Sequence, residues 1–208
     1  VEAIEAYAVG KTVEELKTKA IDENGVVADA DLASGATIYM GSFIWAIEDA
    51  VNNAKHCGAQ SGDKLVLTAI SSSNGSTAAT AEAEGSASVT SNIIAMTMDE
   101  NVITSCIIDA VQSKAGFAAD GTLVGEVSGS VASKAQLGAD YGLKAYSPIG
   151  KEWDEQTLSF CEYVTGKTVE EVQSIALTET TAPADADLAA SVSIAVGDFV
   201  SLVDKLAK

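Results

Sequence analysis

The chain has 208 residues, 47% of them hydrophobic, which is enough for one or two domains with real cores and excludes a disordered chain. A net charge of −18 argues against a nucleic-acid-binding protein and against a protein of anionic membrane surfaces, because no basic patch is available. No run of 18 apolar residues occurs, so no transmembrane helix is predicted. We expect any export signal or lipid anchor to lie upstream of Val1.

Two segments near the amino terminus recur at an offset of 156 residues without a gap. Residues 7–15 recur as 163–171, and residues 28–33 recur as 184–189. Such self-similarity predicts that the two copies share one fold. Since only the second copy follows a strand-rich region, residues 1–60 are predicted to be the C-terminal half of a preceding repeat unit and 61–208 a complete unit.

Each copy begins with a predicted helix that ends near Tyr7 and is closed by Gly10. Thr12 and Glu15 have the spacing of a capping box, which predicts a short helix over Val13–Ala20. The second copy predicts the same features at Tyr163, Gly166, Thr168, Glu171 and Val169–Ala176.

An acidic loop follows, and then a predicted short strand near Ala36–Tyr39 that leads into a helix. Apolar residues recur at helical spacing in this last helix of both copies. They are Phe43, Ile44, Ile47 and Val51 in the first copy, and Phe199, Val200, Val203 and Leu206 in the second.

The region between the copies predicts an antiparallel sheet over about 64–125. A hairpin turn is predicted at Asp99–Asn101 and a tight turn at Phe117–Leu123. The predicted strands are Lys64–Ile70, one or two strands within Ala78–Thr90, Asn92–Met98 and Val102–Ala110. The helical half of the complete unit is predicted at about 151–208, after a Gly- and Ser-rich loop over 128–151. The fold class is therefore α+β, with helices packed on an antiparallel sheet.

Metal and nucleophilic chemistry have little support in the residues present. Cys57, Cys106 and Cys161 are widely spaced and His56 is the single histidine, so a structural zinc site is not expected and buried free thiols are. The acid pairs Glu14/Glu15 and Asp29/Asp31 lack the spacing of a calcium loop, and we interpret them as helix caps and solvated charge. No catalytic and no metal residues are predicted.

The segment Asp31–Thr37, Asp-Leu-Ala-Ser-Gly-Ala-Thr, combines small residues with a hydroxyl shortly before a predicted helix. Small residues let a ligand approach the backbone, and a helix N-terminus favours a phosphate. The alternative is an ordinary strand-to-helix turn with Ser42 as the N-cap.

The same segment resembles the flavin-attachment signature of the FMN-binding domain family, Asp-x-x-Ser/Thr-Gly-Ala-Thr. Asp31, Ser34, Gly35, Ala36 and Thr37 match it position by position. That family includes the C subunit of the sodium-pumping NADH:quinone reductase, the G subunit of the Rnf complex and extracellular flavoprotein electron carriers. The resemblance implies FMN joined through its phosphate to the hydroxyl of Thr37 by a flavin transferase, with the other four residues as cofactor-binding residues.

The order of elements also resembles that family, with a sheet and hairpin first, then a loop, a Trp-bearing helix and the motif. Glu100–Ile103 stands at the hairpin, and Ser147–Gly150 with Trp153 stands at the loop. The aligned segment of the second copy, Asp187–Ser193, departs from the signature, since Ser191 and Val192 replace the Gly-Ala pair. If FMN is carried, we expect it at Thr37 and not at Ser193.

Two functions remain open from the sequence. One is an extracytoplasmic, secreted or surface-anchored electron-transfer module that carries covalent FMN and meets a redox partner. The other is a cofactor-free surface binding or structural module on the same fold. In both, a flavin-carrying or binding protein is favoured over a catalyst, and the apolar face of the N-terminal half-unit (Ile4, Phe43, Ile44, Trp45, Ile47) predicts an association site.

Overall fold

The computed structural model describes residues 2–126 and 131–206, and the chain divides into two units, residues 1–56 and residues 57–208. The first residues of the predicted loop, 128–130, lie outside the described part, as does the side chain of Leu206. No helix within the described ranges is long and apolar enough to cross a membrane.

Unit 1, residues 1–56, is built from short helices around a small apolar core. Its helices are α1 (Glu2–Ala8), α2 (Val13–Glu15), a π-helical turn (Leu16–Ala20), α3 (Ala30–Ala33) and α4 (Gly41–Asn53). Its buried core residues are Ile4, Leu16, Ala20, Leu32, Ala36, Met40 and Ile44. Ile4 and Ile44 therefore belong to the unit's own core, whereas Trp45 is 57% exposed. Only part of the predicted association face is left on the surface.

The predicted capping boxes are confirmed in both copies. The Thr12 hydroxyl accepts the Glu15 N–H at 3.2 Å, and the Glu15 carboxylate accepts the Thr12 N–H at 3.0 Å. The corresponding distances for Thr168 and Glu171 are 3.2 and 2.8 Å. These reciprocal bonds satisfy two backbone donors that a helix start leaves unpaired, which is why so short a helix begins at the same place twice.

Two local predictions for the copies are wrong. The helix predicted over Val169–Ala176 ends at Gln173, and the strand predicted at Ala36–Tyr39 does not form. The Ala36 N–H instead donates to the Leu32 carbonyl and continues the turn after α3. An extended pattern becomes a strand only where a partner strand supplies ladder bonds, and within the described residues of unit 1 none lies beside this segment.

Unit 2, residues 57–208, contains the predicted antiparallel sheet. The strands are β1 (Lys64–Ser72), β2 (Gly85–Asp99), β3 (Val102–Phe117) and β4 (Leu123–Val124), in the order β1-β2-β3-β4. The hairpin is confirmed, with Glu100 at φ 53° in the turn. The division into a strand within Ala78–Thr90 and another at Asn92–Met98 is wrong, because β2 is a single strand of 15 residues. It stays continuous since β3, with 16 residues, pairs along its whole length.

The helices of unit 2 cover one face of this sheet, with α6 packed on β3 and α9 on β1 and β2. They are α5 (Lys134–Leu137), α6 (Trp153–Val164), α7 (Val169–Gln173), α8 (Ala186–Ala189) and α9 (Gly197–Leu206), with 3₁₀ turns at Gly138–Tyr141 and Leu143–Ala145. The core between sheet and helices includes Ile94, Ile103, Phe160, Leu202 and Val203, each 0% exposed. The opposite sheet face is open, and Leu67 and Ile107 there are 69% and 52% exposed.

Candidate functional site

The segment Asp31–Thr37 begins inside a helix and not in a loop. Asp29 is the N-cap of α3, and its carboxylate accepts the N–H groups of Asp31 at 2.9 Å and Leu32 at 3.0 Å. The hydrogen bond from Leu32 lowers the pKa of Asp29, so the cap is ionised at neutral pH. The prediction that Asp29 serves as a helix cap is confirmed, and Asp31 is an exposed residue of the first helical turn.

Three further residues of the segment have structural roles in unit 1. The Ser34 hydroxyl donates to the Asp31 carbonyl at 2.7 Å, at the C-terminal end of α3. A side chain at Gly35 would place its Cβ 2.9 Å from the Cβ of Ala3, so glycine allows α1 to approach this turn. Ala36 is 9% exposed and belongs to the core of the unit. Packing alone therefore accounts for the small residues that also resemble a flavin motif.

The Thr37 side chain lies on the surface, as do the side chains of Asp31 and Ser34. It precedes α4, a helix of 13 residues that begins at Gly41. The N-cap of α4 is Met40, which makes no side-chain capping bond, so the interpretation of Ser42 as N-cap is wrong. The Met40 N–H donates to the Gly25 carbonyl at 2.8 Å, and the first turn of α4 has no side-chain cap because the N-cap side chain is that of a methionine.

The equivalent position of unit 2 has a different environment. The Ser193 N–H donates to the side-chain carbonyl oxygen of Gln156 at 2.8 Å, and the Ser193 hydroxyl contacts the same oxygen at 3.1 Å. The Ile194 N–H reaches that oxygen at 3.2 Å. The amide nitrogen of Gln156 donates to the Lys151 carbonyl at 3.0 Å and to the Ser147 hydroxyl at 3.2 Å. Gln156, 0% exposed, thus holds the turn before α9 against the loop before α6.

A second buried polar residue orders the loop that follows α5. Glu152 is 6% exposed, and its two carboxylate oxygens accept the N–H groups of Leu143 at 2.9 Å and Lys144 at 3.0 Å. Its own N–H donates to Glu155 at 2.7 Å in a capping box. The later part of the Gly- and Ser-rich loop is therefore held at the start of α6. Ser147, Gln156 and Ser193 are brought together there.

Sequence reasoning missed Gln156 as an organising residue. The available signal was its position, because Gln156 lies three residues after Trp153 and four before Phe160 on the apolar stripe of α6. A polar side chain on such a stripe needs hydrogen-bond partners inside the fold.

Unit 2 has a surface depression among its described residues. It measures about 460 Å³ and is lined by residues 80–84 and 118–120. Glu82, Glu84 and Asp120 are among the lining residues, so an anionic phosphate would meet like charge there. No group of three or more possible metal ligands occurs among the described residues. Neither observation indicates a flavin site at this depression or a metal site within the described ranges.

Comparisons of the chain with protein-family models, with curated proteins and with solved structures found no match.

Proposed function

We propose that the chain is an extracytoplasmic electron-transfer module in which FMN is carried as a phosphoester on the Thr37 hydroxyl. The single observation that carries the proposal is the exposed side chain of Thr37, the last residue of a segment that matches the flavin-attachment signature. Thr37 is exposed, whereas Ser193 is engaged by the buried amide of Gln156. A flavin transferase needs a hydroxyl that it can reach, and of these two equivalent positions Thr37 is the one on the surface.

The surroundings of Thr37 support this assignment. Ala36 and Gly35 add little bulk next to it, and the first turn of α4 follows at Gly41. The N–H groups at the start of a helix carry partial positive charge and stabilise a phosphate placed near them. FMN would supply the redox chemistry, and the protein would supply the attachment point and the contact surface for a redox partner. The net charge of −18 would favour a partner with a basic surface.

The test is co-expression of the chain with a flavin transferase, followed by intact mass and a visible absorption spectrum. We expect a mass gain of one FMN that is absent in Thr37→Ala and retained in Ser193→Ala. Thr37→Ala is a fair variant because an exposed threonine contributes little to stability. A colourless chain with unchanged mass, or flavin attached at Ser193, would refute the assignment of Thr37.

One observation favours the second function, a cofactor-free surface binding or structural module. In unit 2, which has both the sheet and the helices, Val192 is 0% exposed and Ser193 is bonded to Gln156. The position equivalent to Thr37 is thus half-buried and bonded to a buried side chain of unit 2. Trp45 in unit 1, and the open sheet face of unit 2, would then serve as contact surfaces for protein partners or for another copy of the chain. A colourless protein after co-expression would support this function.

A further inference from the structure

The cysteines of the chain, although widely spaced in the sequence, meet in unit 2. Cys106 on β3 and Cys161 on α6 are 5% and 4% exposed, and both belong to the core between the sheet and the helices. A hydrogen bond joins their thiols. Cys57, half-buried at the start of the unit, lies near enough to Cys106 for a charge on it to act on that thiol. All three are free thiols in the structure.

The backbone brings the two buried thiols to the same place in the core. The Gly166 N–H donates to the Ile103 carbonyl at 2.7 Å, and the Ile103 N–H donates to the Lys167 carbonyl at 2.9 Å, so the chain just after α6 is anchored at the start of β3. Cys106 lies three residues along β3 from this anchor, a distance of about 10 Å. Cys161 lies five residues back along the chain, about 7 Å along the helix. Because α6 packs on β3, both side chains enter the same layer of the core.

Cys57 is the thiol of this group with access to water. The next residue, Gly58, passes so close to β3 that a Cβ on it would lie 2.3 Å from the Thr104 carbonyl oxygen. The segment that carries Cys57 therefore runs beside β3, two residues from Cys106. No group of three or more side chains suited to hold a metal occurs among the described residues, so the three thiols are not arranged as a metal site there. The chemistry left to the buried pair is that of two thiols in contact.

We propose that Cys106 and Cys161 form a disulfide that joins β3 to α6 when the chain folds in the presence of a small-molecule disulfide. The thiolate of one cysteine attacks a sulfur of that reagent, forms a mixed disulfide and releases one thiol. The thiolate of the other cysteine attacks the cysteine sulfur of the mixed disulfide, forms the Cys106–Cys161 bond and releases the second thiol. The two cysteines are oxidised and lose two hydrogens, and the reagent is reduced and gains them.

The core accommodates the disulfide better than it accommodates a thiolate. The hydrogen bond with Cys161 and burial raise the pKa of the Cys106 thiol, so exchange is slow once α6 covers β3. The bond therefore forms during folding, while solvent still reaches both thiols. The finished disulfide carries no charge and has no donor that needs a partner, so its burial costs little. Such a bond persists in oxidising surroundings, as in the extracytoplasmic setting of the proposed function.

The experiment is refolding of the full-length Cys57→Ala variant from urea, either with oxidised and reduced glutathione or with dithiothreitol. After removal of the reagent, each product is unfolded and treated with iodoacetamide, and its mass counts the labelled cysteines. We expect two labels after dithiothreitol and none after glutathione, with Cys106 linked to Cys161 in the peptide map. The cross-linked product should melt about 6–16 °C above the reduced one, because the bond restricts the unfolded chain. The added change Cys161→Ala is the control and should leave Cys106 open to labelling.

The proposal is overturned if both cysteines of the Cys57→Ala variant are still labelled after refolding in glutathione. It is also overturned if the unchanged chain, refolded in the same way, links Cys57 to Cys106 or to Cys161, because the buried pair would then not be the one that bonds. A bond between two chains in place of the internal one counts against it as well. Far-UV circular dichroism checks that both variants fold. The outcome is independent of whether the protein carries a flavin.

Discussion

Replacing Gln156 with leucine tests whether this buried amide organises the helical half of unit 2. Leucine keeps a side chain of similar size on α6 and removes every polar atom. The change leaves the N–H groups of Ser193 and Ile194 without the oxygen that accepts them at 2.8 and 3.2 Å. It also removes the donor that reaches the Lys151 carbonyl at 3.0 Å.

The size of the effect follows from these lost bonds. A buried group left without a partner costs about 1–3 kcal/mol. The unpaired groups belong to half-buried residues, namely Ser193, Ile194 and Lys151. Because water can reach these backbone groups in part, the lower end of that range applies to each of them. Three groups at about 1 kcal/mol each give a loss of about 3 kcal/mol in the free energy of unfolding of unit 2. For a unit of this size the melting temperature should fall by about 6–12 °C.

The assay uses the two tryptophans of the chain. Trp153 is 5% exposed in the core of unit 2, whereas Trp45 lies on unit 1. In a Trp45→Phe background, fluorescence during urea unfolding therefore reports unit 2 alone. Ser193→Ala removes one hydrogen bond to Gln156 and should cost about 1 kcal/mol. Thr37→Ala, at the equivalent position of unit 1, serves as the control and should leave the unit 2 transition unchanged.

An organising role for Gln156 is refuted if Gln156→Leu shifts the free energy of unfolding of unit 2 by less than about 0.5 kcal/mol, the range of ordinary surface substitutions. It is also refuted if Gln156→Leu stabilises the unit, since an apolar core would then be preferred to the polar network.

Two further predictions concern titration and thiol reactivity. The pKa of Glu15 is lowered from 4.5 to about 2, mainly because its carboxylate accepts the Thr12 N–H. A carboxylate with a lowered pKa stabilises the folded state above pH about 4.5, and this contribution is lost as the pH falls towards about 2. The urea midpoint of unit 1 should therefore decline less steeply with falling pH in Glu15→Gln than in the unchanged chain. An equal decline in the two proteins contradicts this. Cys57 is half-buried, whereas Cys106 and Cys161 are buried. The pKa of the Cys106 thiol is raised, first by its hydrogen bond with the Cys161 thiol and then by burial. Iodoacetamide should therefore label Cys57 alone in the native protein, and peptide mass spectrometry identifies the labelled residue. Labelling of Cys106 in the native protein would contradict the packing of β3 against α6.

The sequence alone determined the features that depend on near neighbours in the chain. The Thr12–Glu15 and Thr168–Glu171 capping boxes involve residues three positions apart, and β1 and β3 contain runs of apolar and β-branched residues next to turn residues. Such patterns act through local backbone geometry, so the α+β class, the antiparallel sheet and the caps could be predicted before any contact was known.

Tertiary structure decided whether each polar or extended residue found a partner. The bond between Ser193 and Gln156 spans 37 positions, and no local pattern connects them. The segment Ala36–Tyr39 has an extended pattern yet forms no strand, because ladder bonds require a second strand beside it. The exposure of Thr37 and the hydrogen bonds that hold its equivalent, Ser193, were decided in the same way. The sequence determines which hydrogen-bond donors and acceptors a residue has. Whether these groups are paired depends on which distant groups the fold places within hydrogen-bond reach.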